Sequence, residues 1–183
     1  FPATTTVSVH CTGGASIKYG FENTNPNMRV RGIDENYLGI KDFGMAAGRN
    51  FTSLEVQSGG NKALIGMDIV NALFNKKPNK ALGKNISVGN IKYTVIGVLA
   101  TKGSSMGQSN DQNVFIPIMN ARRFYSTANR NFDVEVAVAS AANIDNAMSE
   151  ATSAFRNARG LKLAEDNDFE IGTSRVTYTI EDA

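Results

Sequence analysis

Hydrophobic and polar positions alternate with a period of two along much of the chain, which predicts β-strands with one face buried. Such segments, together with short apolar ones bounded by turn residues, cover residues 4–9, 28–33, 62–65, 113–118 and 133–138. The clearest local prediction is a hairpin at Gly89-Asn90, because a strand-like segment stands on each side and both turn residues tolerate positive φ. Pro117 places its strand at a sheet edge or at a strand end, since proline cannot donate to a ladder.

A period of 3.6 predicts helices elsewhere in the chain. Ile69, Val70, Leu73 and Phe74 fall on one side of a helix over residues 67–74, and Pro78 prevents its continuation. A longer helix is expected to begin after Asn143 and to end at Gly160. Its apolar stripe consists of Ile144, Ala147, Met148, Ala151, Ala154, Phe155 and Ala158. Shorter helices are expected over residues 34–40, with Asp34 as N-cap, and over residues 120–125.

The order of these elements predicts an α+β fold. Residues 133–138, the long helix and a return strand over residues 168–172 form a strand–helix–strand unit, whose crossover is expected to be right-handed. The earlier part of the chain is β-rich. Residues 12–27 are expected to form a loop with one short hairpin, and the small polar residues 102–112 a mobile surface loop.

Composition describes a folded protein and removes several function classes. The chain has 183 residues, of which 42% are hydrophobic and 20% charged, as in ordinary globular domains. Nineteen basic and seventeen acidic residues leave a net charge of +2, which argues against nucleic-acid binding because such proteins concentrate positive charge on one face. The single cysteine, Cys11, excludes an internal disulfide and argues against a structural zinc site.

The ends and the apolar stretches bear on membrane attachment. The sequence starts at Phe1 without a methionine or the features of a signal peptide, so we interpret it as a piece of a longer protein or a mature form. The longest apolar stretch covers residues 93–100, far fewer than the roughly 20 residues that cross a bilayer. No segment of this sequence is therefore expected to span a membrane.

Two pairs of residues could suggest catalysis or nucleotide binding. His10 and Cys11 are adjacent on a predicted strand, so their side chains point to opposite faces and a catalytic dyad is disfavoured. A reduced structural cysteine is the favoured interpretation. Gly83-Lys84 resembles the end of a phosphate-binding loop, but the glycine five residues earlier and the following Ser or Thr are missing, so we reject nucleotide binding.

Two charged clusters could suggest ion or surface binding. Three acidic residues alternate near the end of the chain, at Asp166, Asp168 and Glu170. They lack the spacing of a calcium-binding loop and fit a solvated strand edge. Four lysines gather earlier, at Lys76, Lys77, Lys80 and Lys84. They could face lipid headgroups or an acidic partner, although a solvated loop is the favoured interpretation.

The succession of several motifs is more specific than any one of them. These motifs are residues 30–33 followed by Tyr37, Gly48-Arg49-Asn50-Phe51, residues 66–74, residues 81–86, residues 93–99 and residues 114–118. Their order and spacing resemble the MacB-like periplasmic core domain of ABC transporter permeases with an FtsX-type membrane region. The resemblance covers residues 7–171. That family begins the region with a further strand and helix, so the first strand–helix–strand half is expected to be incomplete here.

The resemblance implies two subdomains, often called porter and Sabre. Residues 1–12 and 129–183 would form the porter-like, membrane-proximal part, and residues 13–128 a β-rich, Sabre-like insertion. Such domains follow the first transmembrane helix of a permease and lie at the periplasmic face of the bacterial inner membrane. The parent protein should then carry an apolar segment of about twenty residues before Phe1 and another after Ala183.

The resemblance also implies a domain without chemistry of its own, with no catalytic residue, cofactor or metal. ATP would be hydrolysed by a cytoplasmic ATPase domain or subunit, and the motion would be transmitted through the membrane helices. The implied partners are a periplasmic adaptor or other envelope protein and a second permease copy in a dimeric transporter. Two alternatives stay open: a small periplasmic hydrolase, disfavoured by the single histidine, and a ligand-binding module, which needs a preformed apolar pocket.

The loop over residues 102–112 is the predicted partner surface. It joins two apolar strands yet consists of small polar residues around one methionine. Methionine is soft and adaptable, as binding surfaces for several partners tend to be, and in the family the adaptors attach at loops of the insertion. The predicted partner-binding residues are Ser104, Ser105, Met106 and Gln108.

Overall fold

The structure is a computed structural model that describes residues 4–102, 104–105, 108–125 and 132–173. The strands are β1 (Thr4–Ala15), β2 (Ile17–Tyr19), β3 (Glu22–Asn23), β4 (Met28–Ile33), β5 (Met45–Gly48), β6 (Lys62–Ile65), β7 (Asn85–Val88), β8 (Ile91–Leu99), β9 (Ser104–Ser105), β10 (Gln108–Ser109), β11 (Asn113–Pro117) and β12 (Phe132–Ala137). The helices are α1 (Tyr37–Ile40), α2 (Ser53–Ser58), α3 (Met67–Leu73), α4 (Pro78–Ala81), α5 (Ile118–Phe124) and α6 (Ile144–Arg159).

The chain divides into two compact units. The larger unit is Thr4–Glu135, and the smaller one includes residues 136–173 of those described. The predicted division at residues 13 and 128 into porter-like and Sabre-like parts stays a prediction.

A mixed sheet forms the body of the larger unit. The strands follow the order β12-β1-β4-β11-β6-β8-β7-β2-β3, and β5 adds to β8. The pairs β4–β11 and β6–β8 are parallel, whereas β1–β4, β6–β11 and β7–β8 are antiparallel. The predicted α+β class is confirmed.

Alternation along the central strands divides the core between the two faces of this sheet. In β11, Val114 and Ile116 belong to one buried cluster and Phe115 to the other, because successive side chains of a strand point to opposite faces. Helix α3 covers the larger cluster, and α1 and α2 contribute to the smaller one. The sheet is thus buried on both faces by helices of the same unit.

The locally encoded elements lie where the sequence predicts them. Gly89-Asn90 forms the β7–β8 turn, with Gly89 at φ 59°. Pro117 ends β11, which is a central strand, so the strand-end alternative is the correct one. Asp34 accepts hydrogen bonds from the amides of Asn36 and Tyr37, although the helix begins only at Tyr37.

Several elements of the larger unit were not predicted: β5, α2, α4, and the β9–β10 ladder within the segment expected to be a mobile loop. β5 pairs with β8 over Met45–Gly48, for which no strand was predicted. Helix α2 starts with a capping box, in which the Thr52 hydroxyl accepts from Glu55 N and the Glu55 carboxylate accepts from Thr52 N. The T-x-x-E spacing was the sequence signal for this helix.

The smaller unit departs from the predicted strand–helix–strand order. Helix α6 begins after Asn143 and ends at Gly160, whose φ of 68° is left-handed, as predicted. The prediction of a return strand over residues 168–172 is wrong, because these residues form no strand in the described part of the chain. They fold back on α6 instead: Asp168 binds Arg159 at 2.5 Å, and the Phe169 ring lies 5.3 Å from Phe155.

Candidate partner-binding surfaces

The loop predicted to bind partners is anchored at both ends. Ser105 pairs with Gln108 and Ser104 with Ser109 in the small β9–β10 ladder, so three of the four predicted residues come together. Met106 lies outside the described residues. At the base of the loop, the Asp111 carboxylate accepts from Lys102 N at 3.0 Å.

Lys102 ties this loop base to the turn after α1. Its ammonium donates to the carbonyl oxygens of Lys41 and Asp42 and lies 4.5 Å from the Phe43 ring centroid. Asp111 is buried against Gly66, whose backbone leaves no room for a side chain there. The loop therefore has a fixed base.

The His10–Cys11 pair has the geometry expected of a strand rather than a dyad. Cys11 is buried in the larger core cluster. His10 is exposed, and its Nε2 contacts the guanidinium of Arg31. The Arg31 side chain also donates to Ser8 Oγ and pairs with Asp133 at 3.5 Å, so His10 belongs to a polar cluster around Arg31 that reaches β12.

Several acidic residues of the described segments are held in ion pairs, among them Glu55, Asp133 and Asp168. Among the residues that the structure describes, no group of His, Cys, Asp and Glu is suited to hold a metal ion. Glu55 pairs with Arg49 at 2.7 Å and with Lys62 at 2.5 Å. The hydrogen bonds from Arg49 outweigh desolvation and hold the pKa of Glu55 well below its usual range. This triad fixes the start of α2 rather than forming a reactive carboxylate.

The lysine cluster borders a groove that the sequence did not reveal. The groove is open and holds about 540 Å³ between β2 and the α3–α4 segment. Its apolar floor consists of Tyr19, Leu73, Phe74 and Leu82. Its polar rim consists of Asn75, Asn79, Lys80 and Lys84. We call it the lysine groove. The lysine cluster was the sequence signal for its rim, but the floor forms only because β2 packs against α3.

The floor and rim of the lysine groove are locally well defined. The rings of Tyr19 and Phe74 lie 4.7 Å apart, which joins β2 to the end of α3. Asn75 and Lys76 follow with φ of 53° and 60°, a left-handed conformation that residues with side chains rarely adopt. This turn carries the chain from the floor to the exposed lysines.

Across the described residues, no helix has the length and apolarity needed to cross a bilayer. The profile of the family described as MacB-like periplasmic core domain matches residues 1–154.

Two curated relatives carry the same protein name. The macrolide export ATP-binding/permease protein MacB of Chlorobium phaeobacteroides is 30% identical over 157 residues, covering 85% of this chain and 23% of the relative. The protein of that name from Marinobacter nauticus is 32% identical over 130 residues, covering 69% and 19%. The chain thus spans about a quarter or less of the length of these relatives.

Solved structures agree with the family assignment. The extracellular domain of the noncanonic ABC-type transporter YknZ from Gram-positive bacteria superposes with a TM-score of 0.66 at 26% identity, covering 86% of this chain and 78% of that one. The periplasmic region of MacB from Actinobacillus actinomycetemcomitans gives a TM-score of 0.68 at 19% identity, covering 84% and 67%, and supports the fold. With the family profile matched over residues 1–154, the chain belongs to the MacB-like periplasmic core domain family.

Proposed function

We propose that this chain is the extracytoplasmic domain of an ABC transporter permease, which binds an envelope partner and couples cytoplasmic ATP hydrolysis to work outside the inner membrane. The observation that carries the proposal is the family match over residues 1–154, together with the likeness to the YknZ extracellular domain. ATP would be hydrolysed on a cytoplasmic domain or subunit of the parent transporter.

The internal organisation suits a part that transmits force. Its central sheet is packed on both faces, and long-range pairs such as Arg31–Asp133 and Lys41–Glu135 brace the edge strand β12. A close-packed interior transmits displacement because it has little free volume to absorb it. A dimeric transporter, and the division into porter-like (1–12, 129–183) and Sabre-like (13–128) parts, belong to the same proposal.

The partner surface proposed for this function is the β9–β10 loop with Ser104, Ser105, Met106 and Gln108. A surface loop with a fixed base can present contacts without disturbing the core. The exposed His10 contacts the guanidinium of Arg31, and the neighbouring Cys11 is buried in the core, a strand geometry that favours this binding role over a hydrolase.

The test replaces residues 104–109 by a Gly-Ser linker of equal length in the full transporter. We expect unchanged expression and basal ATPase activity, with weaker capture of the periplasmic adaptor and slower transport. The matched control exchanges the residues at another hairpin tip, as Gly89→Asn with Asn90→Gly, and should leave both unchanged. Unaltered adaptor capture and transport in the linker variant would remove the loop from the partner surface.

A further inference from the structure

The lysine groove lies in a segment of unusual charge. Residues 69–110 contain six lysines and neither aspartate nor glutamate. Lys76, Lys77, Lys80 and Lys84 are all exposed. A surface with one sign of charge and no internal counterions attracts ligands of the opposite sign.

These lysines differ from five basic residues that form ion pairs elsewhere in the described chain. The ion pairs of the described residues involve Arg31, Lys41, Arg49, Lys62 and Arg159. No lysine of the groove rim joins an ion pair within that part of the chain. The rim charges are thus left for solvent or for a ligand.

The floor adds an apolar component to this charge. Leu73 and Phe74 are almost fully buried, whereas Tyr19 and Leu82 are half-buried and open to the groove. Phe21, at the tip of the neighbouring β2–β3 hairpin, is fully exposed. Apolar surface set inside a polar rim is the arrangement that binds side chains at protein interfaces.

The rim also carries amide groups suited to a polypeptide. Asn75 and Asn79 each offer a donor and an acceptor, which match the N–H and C=O groups of an extended backbone. A bilayer fits less well, because the floor is recessed between the rim residues and a flat lipid surface would not enter it. Charge, concavity and amide groups together favour a peptide.

We infer that the lysine groove binds an extended acidic segment of a protein partner, with an apolar side chain on the floor and carboxylates at Lys80 and Lys84. This inference rests on the proposed function, because it names the chemistry of an envelope partner, but it uses a surface separate from the β9–β10 loop. Electrostatic attraction of this kind weakens with salt, since exposed charges are screened.

The probe is a fluorescein-labelled ten-residue peptide in which Leu and Phe alternate with pairs of Glu and Asp, titrated with the purified domain at low salt. We expect saturable binding that weakens in 0.5 M salt. Lys80→Glu with Lys84→Glu should weaken binding at least about fivefold, because two favourable surface pairs become repulsive. Arg122→Glu, which reverses an exposed charge on α5, is the matched control and should change affinity less than about twofold.

A second measurement locates the bound peptide. Amide chemical shifts should move at Tyr19, Phe74 and Lys80 during titration, and Phe21→Ser should weaken binding without lowering the melting temperature. No saturable binding, equal weakening by the Arg122 control, or shifts confined to other surfaces would overturn the inference. Binding to vesicles containing phosphatidylglycerol in place of the peptide, lost in the double lysine variant, would also overturn it and assign the groove to a membrane. Failure of this inference would leave the proposed function intact, because adaptor capture and transport in the full transporter test that function separately.

Discussion

The phenol hydroxyl of Tyr93 donates a 2.9 Å hydrogen bond to Oδ1 of Asn120, and both residues are completely buried. The Asn120 amide nitrogen donates in turn to Gly59 O at 2.9 Å and to Asn61 Oδ1 at 2.7 Å. One side chain thereby connects β8, α5 and the segment that follows α2. A buried polar group that loses its hydrogen-bond partner lowers the free energy of unfolding. We therefore expect the hydrogen bonds of Asn120 to be the main contribution to stability in this region.

Replacing Asn120 should therefore destabilise the fold more than replacing its partner. We expect Asn120→Ala to lower the free energy of unfolding by about 3 kcal/mol, because the change strands several buried polar groups and leaves a void. Tyr93→Phe should cost about 1–2 kcal/mol, because it removes one donor and conserves the ring. Urea unfolding followed by circular dichroism measures both. The reverse order of the two losses would contradict the connecting role of Asn120.

Close backbone packing at Gly66 predicts a second large effect. A Cβ on Gly66 would lie 2.1 Å from the carbonyl oxygen of Asp111, so Gly66→Ala must displace the base of the β9–β10 loop. We expect a loss of about 2–4 kcal/mol in the free energy of unfolding. Gly39→Ala is the control, since no atom lies within 4 Å of its Cβ position, and within α1 it should leave stability unchanged or raise it by up to about 1 kcal/mol. Similar effects at both positions would argue against the clash.

Glu55 should contribute stability that disappears in acid. Its hydrogen bonds with Arg49, reinforced by Lys62 and Thr52 N, hold its pKa far below the usual value. Because the pKa is lower in the folded state, the contribution is complete above the unfolded-state value of about 4.3 and is lost as the pH falls below it.

The variant Glu55→Gln isolates this contribution. We expect it to unfold more easily by about 1 kcal/mol at pH 7, a modest value because Arg49 is half exposed to solvent. At pH 3 the difference from the parent protein should shrink, since part of the parent's advantage is then lost. Urea unfolding across this pH range measures the difference. The control is Glu22→Gln, which changes an exposed carboxylate. A difference independent of pH would exclude the charge as its cause.

The thiol of Cys11 should be chemically silent in the folded protein. Only 1% of this residue is exposed, and it packs in the larger core cluster. Ellman's reagent should therefore react with it only after unfolding in urea. Cys11→Ser should keep the fold and function while losing about 1 kcal/mol, because a hydroxyl is harder to bury than a thiol. Rapid labelling in the native state would contradict this burial.

Elements encoded by neighbouring residues were predictable from the sequence. The Gly89-Asn90 hairpin and the ends of α6 depend on turn and cap residues that act within a few positions. The same locality explains the Thr52–Glu55 capping box, which was readable but overlooked. The return strand over residues 168–172 failed because strand-like alternation does not supply a neighbouring strand, and Asp168 and Phe169 found partners on α6.

Features that depend on distant segments were beyond sequence reasoning. β5 forms because it pairs with β8. Its own four residues carry no pattern that predicts a strand. The lysines of the groove were visible, but the floor required Tyr19 of β2 to meet Phe74 at the end of α3. Partner residues on the β9–β10 loop remain a prediction of the sequence, supported by the loop's fixed base.

The place of β11 in the sheet governs the order in which the fold can be completed. β11 lies between β4 and β6, two strands that precede it by many residues. As the chain emerges from the ribosome, the facing edges of β4 and β6 stay open until residue 117 is available, because no earlier strand joins them. A chain cut before Asn113 would lack the strand that unites the two halves of the sheet, so no shorter N-terminal piece can form this body on its own.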